Sequence, residues 1–531
     1  MLVFNPVSAA EAKEACGVPV ADSALSEGAL IGDIVFDRRQ VFDTSLPDED
    51  KWLYRLANRY HVLTRTATIR DQLLLKPGDR YSARLVAETE RGLRNRNYLY
   101  DASIVPVRPA AGQVDLCVTT RDVWTLLPGI SLERAGGEDE VSIQLEELNL
   151  RGTGVAVGIE YEEDVERDSL QFWYSDRQLG SSRVAMNVSY QDNSDGDSVA
   201  FALQRPFFAL DTRWSAGGDV LVDDRVRPLY DRGTTKAEFR QQRELLRVTG
   251  GRSAGLVDGW VRRWTVGMVY DDSRFGPGDT PALAGPVPAD RRFVYPFVGF
   301  DLIEDRFDTT KNQDQMGRVE DLFLGTRLSA SLGWSGSTFG GDDAALFDVR
   351  WSTGVGVSEK ALWRLRAGLQ GRYENSSLGN AIFSTAVRFT RRHTKRRMFY
   401  AALAADAGRR LDIDNPLRLG GESGLRGYPL AYQNGESRAL VTLEERYFTD
   451  WYPLRLFRVG AAVFVDAGRV WGRSAVSGPG QGWLADAGFG LRLSPTRGGF
   501  GKVLHIDIAF PLNGDDSIDS VQLLLEGRRS F

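Results

Sequence analysis

Cysteine and histidine are scarce in this chain of 531 residues, with two of the first and three of the second. That scarcity argues against an enzyme built on clustered metal ligands or imidazole chemistry, and no cofactor or metal is expected. Cys16 and Cys117 stand far apart and form neither a CxxC nor a metal-ligand spacing, so unpaired structural thiols are expected, with a disulfide left open. His61, His393 and His505 are scattered and outline no site. The net charge is −6, so there is no global basic signal for nucleic acid. Long hydrophobic runs are missing too. No stretch approaches the roughly 18 apolar residues of a membrane-spanning helix. That excludes helical spans but not a β-barrel, whose outward face shows only at every second residue.

Glycine, by contrast, is abundant at 56 residues. Four of these glycines fall in LGGESGLRGYP at 419–429, a stretch that also carries an arginine between apolar and glycine neighbours. Gly420, Gly421, Gly424 and Gly427 make it a sharply folded loop that delivers Leu425, Arg426 and Tyr428 to one place. Two other glycine patterns are decoys. GRSAG at 251–255 has no strand-to-helix turn, and GTGVAVG at 152–158 opens no helix of a βαβ unit; both lie between amphipathic strands. No enzyme is expected.

Residues 1–29 form an N-terminal segment. MLVFNPVSAAEA lacks a basic start and has a very short apolar run, yet ends in small residues like a cleavage site; a shortened signal peptide and an ordinary terminus both fit. Residues 30–125 read as a compact α/β module. LIGDIVFD at 30–37 suits a strand, WLYRLANRY at 52–60 a helix, and ATIRDQLLL at 67–75 and SARLVAETERGLRNRNYL at 82–99 two more. The last places Leu85, Thr89 and Leu93 on one stripe. Strands at 100–109 and 113–124 follow, separated by a turn around Gly112. This order predicts a three-stranded sheet with helices on one face.

After residue 125, alternation with period two takes over to the end of the chain. In DLFLGTRLSASLGW at 321–334, Leu322, Leu324, Leu328, Leu332 and Trp334 share one face, and Arg327, Ser329 and Ser331 share the other. ALFDVRWSTGVGV at 345–357 and LWRLRAGLQGRY at 362–373 repeat the pattern. A water-soluble sandwich alternates as well. Strands of ten or more residues, aromatics near strand ends and a terminal Phe531 favour a transmembrane barrel over 126–531. Val521, Leu523, Leu525 and Phe531 share a face of the last strand, and Phe531 serves as its barrel signal.

LRGY at 425–428 and FVDAG at 464–468 then resemble the two signatures of the BamA/TamA-like and two-partner-secretion barrels, the superfamily that inserts or translocates outer-membrane and secreted proteins. GFGLRLSP and LHIDIAFPL resemble its closing strands, and LLLKPGDRYS and LRNRNYLYDASI resemble a single polypeptide-transport-associated (POTRA) domain. The fold implied is mainly β: a transmembrane antiparallel barrel of about sixteen strands, preceded by a small α/β POTRA domain. Counting strands gives five after the loop, but about fourteen candidates between 141 and 390 where such a barrel needs about eleven before the loop. The resemblance folds loop 409–437 inward, so that Arg426 of the Leu425, Arg426, Gly427, Tyr428 motif meets Asp466, with Phe464 and Gly468 beside it on the lumenal face. It also implies a bacterial outer-membrane location with the POTRA domain in the periplasm, and makes RRHTKRR at 391–397 a periplasmic turn. The partners implied are unfolded outer-membrane or secreted polypeptides taken up by β-augmentation, outer-membrane lipid, and accessory periplasmic proteins or lipoproteins. A passive porin and a transporter for one dedicated client are the alternatives; the latter normally carries two POTRA domains, and one is seen here.

Overall fold

The computed structural model describes residue 16 and residues 27–110, 112–358, 360–478, 482–499, 501–515 and 518–528. Most of the N-terminal segment 1–29 and the terminal Phe531 lie outside the described residues. The α/β domain is a sheet of strands β1 (Leu30–Arg39), β2 (Leu99–Ala110) and β3 (Gln113–Asp122), in the order β1-β3-β2. β1 runs parallel and β2 antiparallel to the central β3. Helices α1 (Trp52–Tyr60), α2 (Thr66–Arg70) and α3 (Ala83–Arg94) separate the first two strands. α3 buries Val86, Thr89 and Leu93, while Leu85 packs half-buried beside them. Val114, Leu116 and Val118 supply the sheet's half of this core.

Two helices are shorter than the sequence suggests. Beyond Arg70 the chain turns, and Leu73 and Leu75 both reach the core at a spacing of two, which a continuing helix would not permit. α3 ends at Arg94 because Asn95 and Arg96 turn the chain so that Leu99 can enter β2. A third expectation is corrected on the sheet's other face. Cys16 and Cys117 are joined in a disulfide, with Cα atoms 5.8 Å apart, in a small cluster with Val105 and Val107. The two residues are remote in sequence, but the sheet brings residue 117 to the strand against which residue 16 lies.

From β4 (Leu126–Ala135) onward, the described residues contain no α-helix, and twenty antiparallel strands close into a barrel. This corrects the expected sixteen: fifteen strands precede the loop and five follow it. The sixteen rested on the resemblance; the alternation count of about fourteen between 141 and 390 was the better guide, since thirteen wall strands run from Glu138–Glu147 to Ser377–Arg392. The wall has two chemically opposite faces. On strand Leu484–Pro495, Phe489 is 51% exposed and points outward, whereas Asp486 and Arg492 are fully buried toward the lumen.

The run 321–334 is also corrected. Its strand starts at Arg327, and Val319–Phe323 instead pairs with Phe307–Lys311 in a separate hairpin. Gly325 lies between the two elements, where a Cβ would come within 2.6 Å of the Glu304 carbonyl oxygen. The α/β domain docks on one end of the barrel: Trp124 N–H donates to Arg497 O at 2.6 Å, and Arg497 reaches Val41 O at 2.9 Å and pairs with Glu49. The turn 393–396 of the RRHTKRR run lies at this same end, next to the strand ends at Phe448 and Asp450.

Candidate functional site

The loop between strands Arg397–Arg409 and Ser437–Phe448 folds into the barrel and delivers Arg426 to a fully enclosed position. Two glycines make that path possible. Gly424 has φ +114°, and a Cβ on Gly427 would sit 2.7 Å from the Asp486 Cβ and 3.0 Å from the Pro511 nitrogen. Arg426 then grips Asp466 with two parallel bonds, Nε to Oδ2 at 2.7 Å and Nη2 to Oδ1 at 3.1 Å. Its remaining nitrogen lies 3.0 Å from Glu444 Oε1 and 3.4 Å from Asp507 Oδ2. The Phe464 ring lies flat under the guanidinium, 3.3 Å from centroid to carbon.

Burial alone would lower the pKa of Arg426, but the charges of Asp466 and Glu444 outweigh it and hold the value above the ordinary one, so the cation is permanent. Asp466 faces Asp486 directly across the strand pair. The loop meets both carboxylates with different groups: the Arg426 fork on Asp466, and the Gly427 N–H on Asp486 Oδ2 at 3.1 Å. Leu425 and Tyr428 are fully buried among Leu419, Tyr432, Val470 and Leu484. The Tyr428 hydroxyl lies 2.7 Å from Asn513 O and 2.8 Å from Ala485 O, and accepts from the Ala485 N–H at 3.1 Å. Gly468 leaves room for Leu419, whose Cδ2 would be 2.7 Å from an added Cβ.

The structure thus brings Arg426, Phe464 and Asp466 into contact, with Leu425, Gly427, Tyr428 and Gly468 packed around them, and leaves Phe531 outside the described residues. Sequence reasoning missed the rest of the network. Arg446 Nε donates to Glu444 Oε2 at 2.8 Å, and Arg492 Nη2 to Asp507 Oδ2 at 3.2 Å. The signal was there in the closing strands, where lone charges stand among apolar neighbours in LADAGFGLRL and LHIDIAF; in TLEERYF it was masked by three charges in a row.

A second insertion enters from the domain end. Residues 305–326 leave the wall between strands Arg291–Glu304 and Arg327–Ser335 and cross the lumen. Near the turn, the Arg364 fork holds Asp314 at 2.8 and 2.9 Å, and Gln313 Nε2 donates to Thr390 Oγ1 at 3.0 Å. Met316 reaches the far wall and packs with Met398, Phe448, Ala462 and Val503. Arg392 Nη2, from the RRHTKRR run, donates to Lys311 O at 2.7 Å. Toward the α/β domain, the Arg94 fork holds Asp321 at 2.9 and 2.6 Å, and Arg318 Nη2 donates to Leu99 O at 3.0 Å. The hairpin is therefore clamped between wall and domain.

The ring closes weakly at one place. The last described strand, Gln522–Arg528, shares seven register pairs with its predecessor but a single one, Leu525 with Arg134, with β4. A bond from Gly527 N–H to Glu133 Oε1 at 3.3 Å supplements it. β4 has ten pairs with its other neighbour.

The chain matches no family model and no curated protein. Solved structures similar to it include BamA from Haemophilus ducreyi lacking POTRA domains 1–3, at 12% identity over 94% of this chain and 84% of that one, with a TM-score of 0.38. CdiB from Acinetobacter baumannii matches at 13% over 94% and 73%, with a TM-score of 0.43. CdiB from Escherichia coli matches at 13% over 94% and 76%, with a TM-score of 0.46. These are likenesses of fold alone. At such scores they carry no argument about function, which rests on the geometry of the loop, the hairpin and the seam.

Proposed function

We propose that the chain is a bacterial outer-membrane barrel of the BamA/TamA-like kind, a non-enzymatic factor that inserts or translocates polypeptides, with its α/β domain acting as a periplasmic POTRA domain. One observation carries this reading: the lumen is occupied from both ends while the ring's first and last strands meet at a single register pair. A passive porin needs an open lumen and gains nothing from a weak seam. An insertase needs the reverse, because an edge that parts exposes unpaired N–H and C=O groups to a client strand. In the POTRA sheet, the outer edge of β2 is engaged by α3: Ile104 N–H donates to Glu90 Oε1 at 2.6 Å, and Ala102 O accepts from Arg94 Nη1 at 3.1 Å. On β1, residues 78–81 pair with the first positions, where Ile31 N–H donates to Asp79 O at 2.9 Å and Gly78 N–H to Ile31 O at 2.8 Å, so the part of β1 beyond Ile31 is the edge for a client strand. Unfolded polypeptides, outer-membrane lipid and accessory proteins are the partners this role requires. The membrane location is supported by the apolar outward face of the wall, which folded barrels present to hydrocarbon.

Cysteines at Leu525 and Arg134, the paired seam positions, test the reading. Both positions face outward, and paired residues across antiparallel strands fall within disulfide reach. Locking the seam is expected to stop assembly of outer-membrane proteins in cells that depend on this chain, and reductant should restore it. Undiminished assembly by the locked protein overturns the seam reading. Fractionation of the unmodified chain with soluble periplasmic proteins overturns the membrane reading.

A further inference from the structure

Helix α1 presents an apolar face that is left largely exposed among the described residues. Its inner face is fixed in three ways. Tyr54 stacks on Phe42 with ring centroids 4.2 Å apart, and its hydroxyl donates to the Leu454 carbonyl of a barrel turn. Asn58 exchanges two hydrogen bonds with the Phe42 backbone, at 2.8 and 3.1 Å. The rotation of the helix is thereby set, and Trp52, Leu53, Leu56 and Tyr60 form one outward stripe. Trp52 and Tyr60 are each 70% exposed. On a free-standing soluble domain such a stripe would be a liability.

The stripe's surroundings identify its occupant. Leu53, Leu56 and Tyr60 line a cleft of about 2080 Å³ that reaches the lumen mouth at Glu140, Glu162 and Glu320 and also takes in Phe457, Leu493 and Leu504; Ala57 of α1 packs in one cluster with Leu456, next to Phe457. Phe457, Leu493 and Leu504 alternate with buried lumenal residues, so they belong to the wall's outward face, in register with exposed Val463, Phe489 and Leu491. The apolar face of α1 is thus continuous with the wall that meets lipid under the proposed function. The turn below it adds Trp451 and Leu454, both mostly exposed. Lys51, Arg55 and Arg59 are exposed on and beside the helix, with Asp50 the acid paired to Arg55. Aromatic and aliphatic groups on one stripe with cations at its margins suit a helix lying in a bilayer interface that carries anionic headgroups.

We propose that α1 is an interfacial helix: Trp52, Leu53, Leu56 and Tyr60 enter the headgroup boundary of the leaflet on the domain side, while Arg55 and Arg59 meet anionic phospholipid. This contact fixes the domain against the bilayer beside the seam. The proposal rests on the membrane reading above, and its test separates the two.

Full-length protein is reconstituted into vesicles of phosphatidylcholine with phosphatidylglycerol, and into phosphatidylcholine alone. An environment-sensitive fluorophore is placed on Leu56→Cys and, separately, on the outward wall position Leu491→Cys; doxyl-labelled lipid is the quencher. The expected result is blue-shifted, lipid-quenched emission at both sites. Arg55→Glu with Arg59→Glu should reduce quenching at position 56 in the phosphatidylglycerol vesicles and change little in phosphatidylcholine. Quenching at 491 without quenching at 56 overturns the interfacial helix and leaves the barrel in its membrane. Absence of quenching at 491 overturns the membrane reading itself. A blue shift at 56 that lipid does not quench, whether it appears only at high protein concentration or only with an added unfolded outer-membrane protein, assigns the face to a second copy or to a client and likewise overturns the proposal.

Discussion

Two insertions meet the lumen from opposite ends and are held by different physics. Around Arg426 the charged partners are almost fully buried, with side-chain exposures of 2% for Arg426 and 0% for Asp466. The 305–326 hairpin also uses arginine forks, but its pairs stay partly wet: 18% and 28% exposure for Arg364 and Asp314, and 10% and 18% for Arg94 and Asp321. A buried pair is costly to separate because each partner, once alone, is an uncompensated charge in a dry site. A partly solvated pair separates with water taking over each group. The loop is therefore the harder of the two to undock. If any traffic passes through the lumen at the domain end, the hairpin is the part that yields.

The sharpest way to break this contrast is at Arg426. Arg426→Ala leaves Asp466 and Glu444 without their cation and is expected to destabilise the docked loop by about 3–5 kcal/mol. Hydrogen exchange over 410–436 should rise steeply while the strand ladder stays protected. In a double-mutant cycle with Asp466→Ala, the two sites should couple by roughly 0.5–3 kcal/mol, and simple additivity would show that the fork does not hold the loop.

Removing both hairpin anchors, Asp314→Ala with Asp321→Ala, should have a smaller effect. Each pair contributes on the order of 1 kcal/mol, so exchange and protease cleavage within 305–326 should increase several-fold while 410–436 remains protected. Equal loosening of both insertions would erase the distinction.

The smallest expected effect is a pH dependence confined to the hairpin. Glu320 accepts the Gln313 and Asp314 N–H groups, both at 2.8 Å, yet burial, with the nearby Asp314 charge adding, pushes its pKa up to about 7. A carboxyl raised in the folded state is easier to bury protonated, so the docked hairpin is most stable near and below its unfolded value, about 4.5, and loses that advantage as pH rises toward 7. Exchange-protection factors in 305–326 should therefore grow from pH 8 to pH 5, and Glu320→Gln should flatten the trend. A trend unchanged by that substitution would assign it to Glu88, Glu90 or Asp101 of the domain, which burial shifts in the same direction.

The two insertions also differed in how far they could be read. The loop announced itself through Gly424 and Gly427 around Arg426, and through the matching Phe464, Asp466 and Gly468 on a later strand. The hairpin was missed because alternation runs from its second strand straight into the wall: Leu322 and Leu324 share a parity with Leu328 and Leu332. Only the approach of Gly325 to the Glu304 carbonyl ends one element there. The wider charge network was half legible. Asp486, Arg492 and Asp507 stand out as charges in apolar strands, whereas Glu444 is hidden beside Glu445 and Arg446, and which carboxylate meets which arginine depends on cross-strand register.

By itself the sequence determined what is local: a short α/β module ahead of residue 125, strands with one apolar and one charged face after it, and a glycine-rich loop built to carry an arginine. Period-two alternation and glycine's wide conformational range are properties of neighbouring residues, so they survive without knowledge of the fold. The tertiary structure alone decided the twenty-strand ring, the single register pair at its seam, the crossing of the lumen by 305–326, the Cys16–Cys117 link and the outward turn of α1 toward the wall. Each of these depends on contacts between segments far apart in the chain, and the free energy of closing a ring or burying a remote ion pair is written in no one segment.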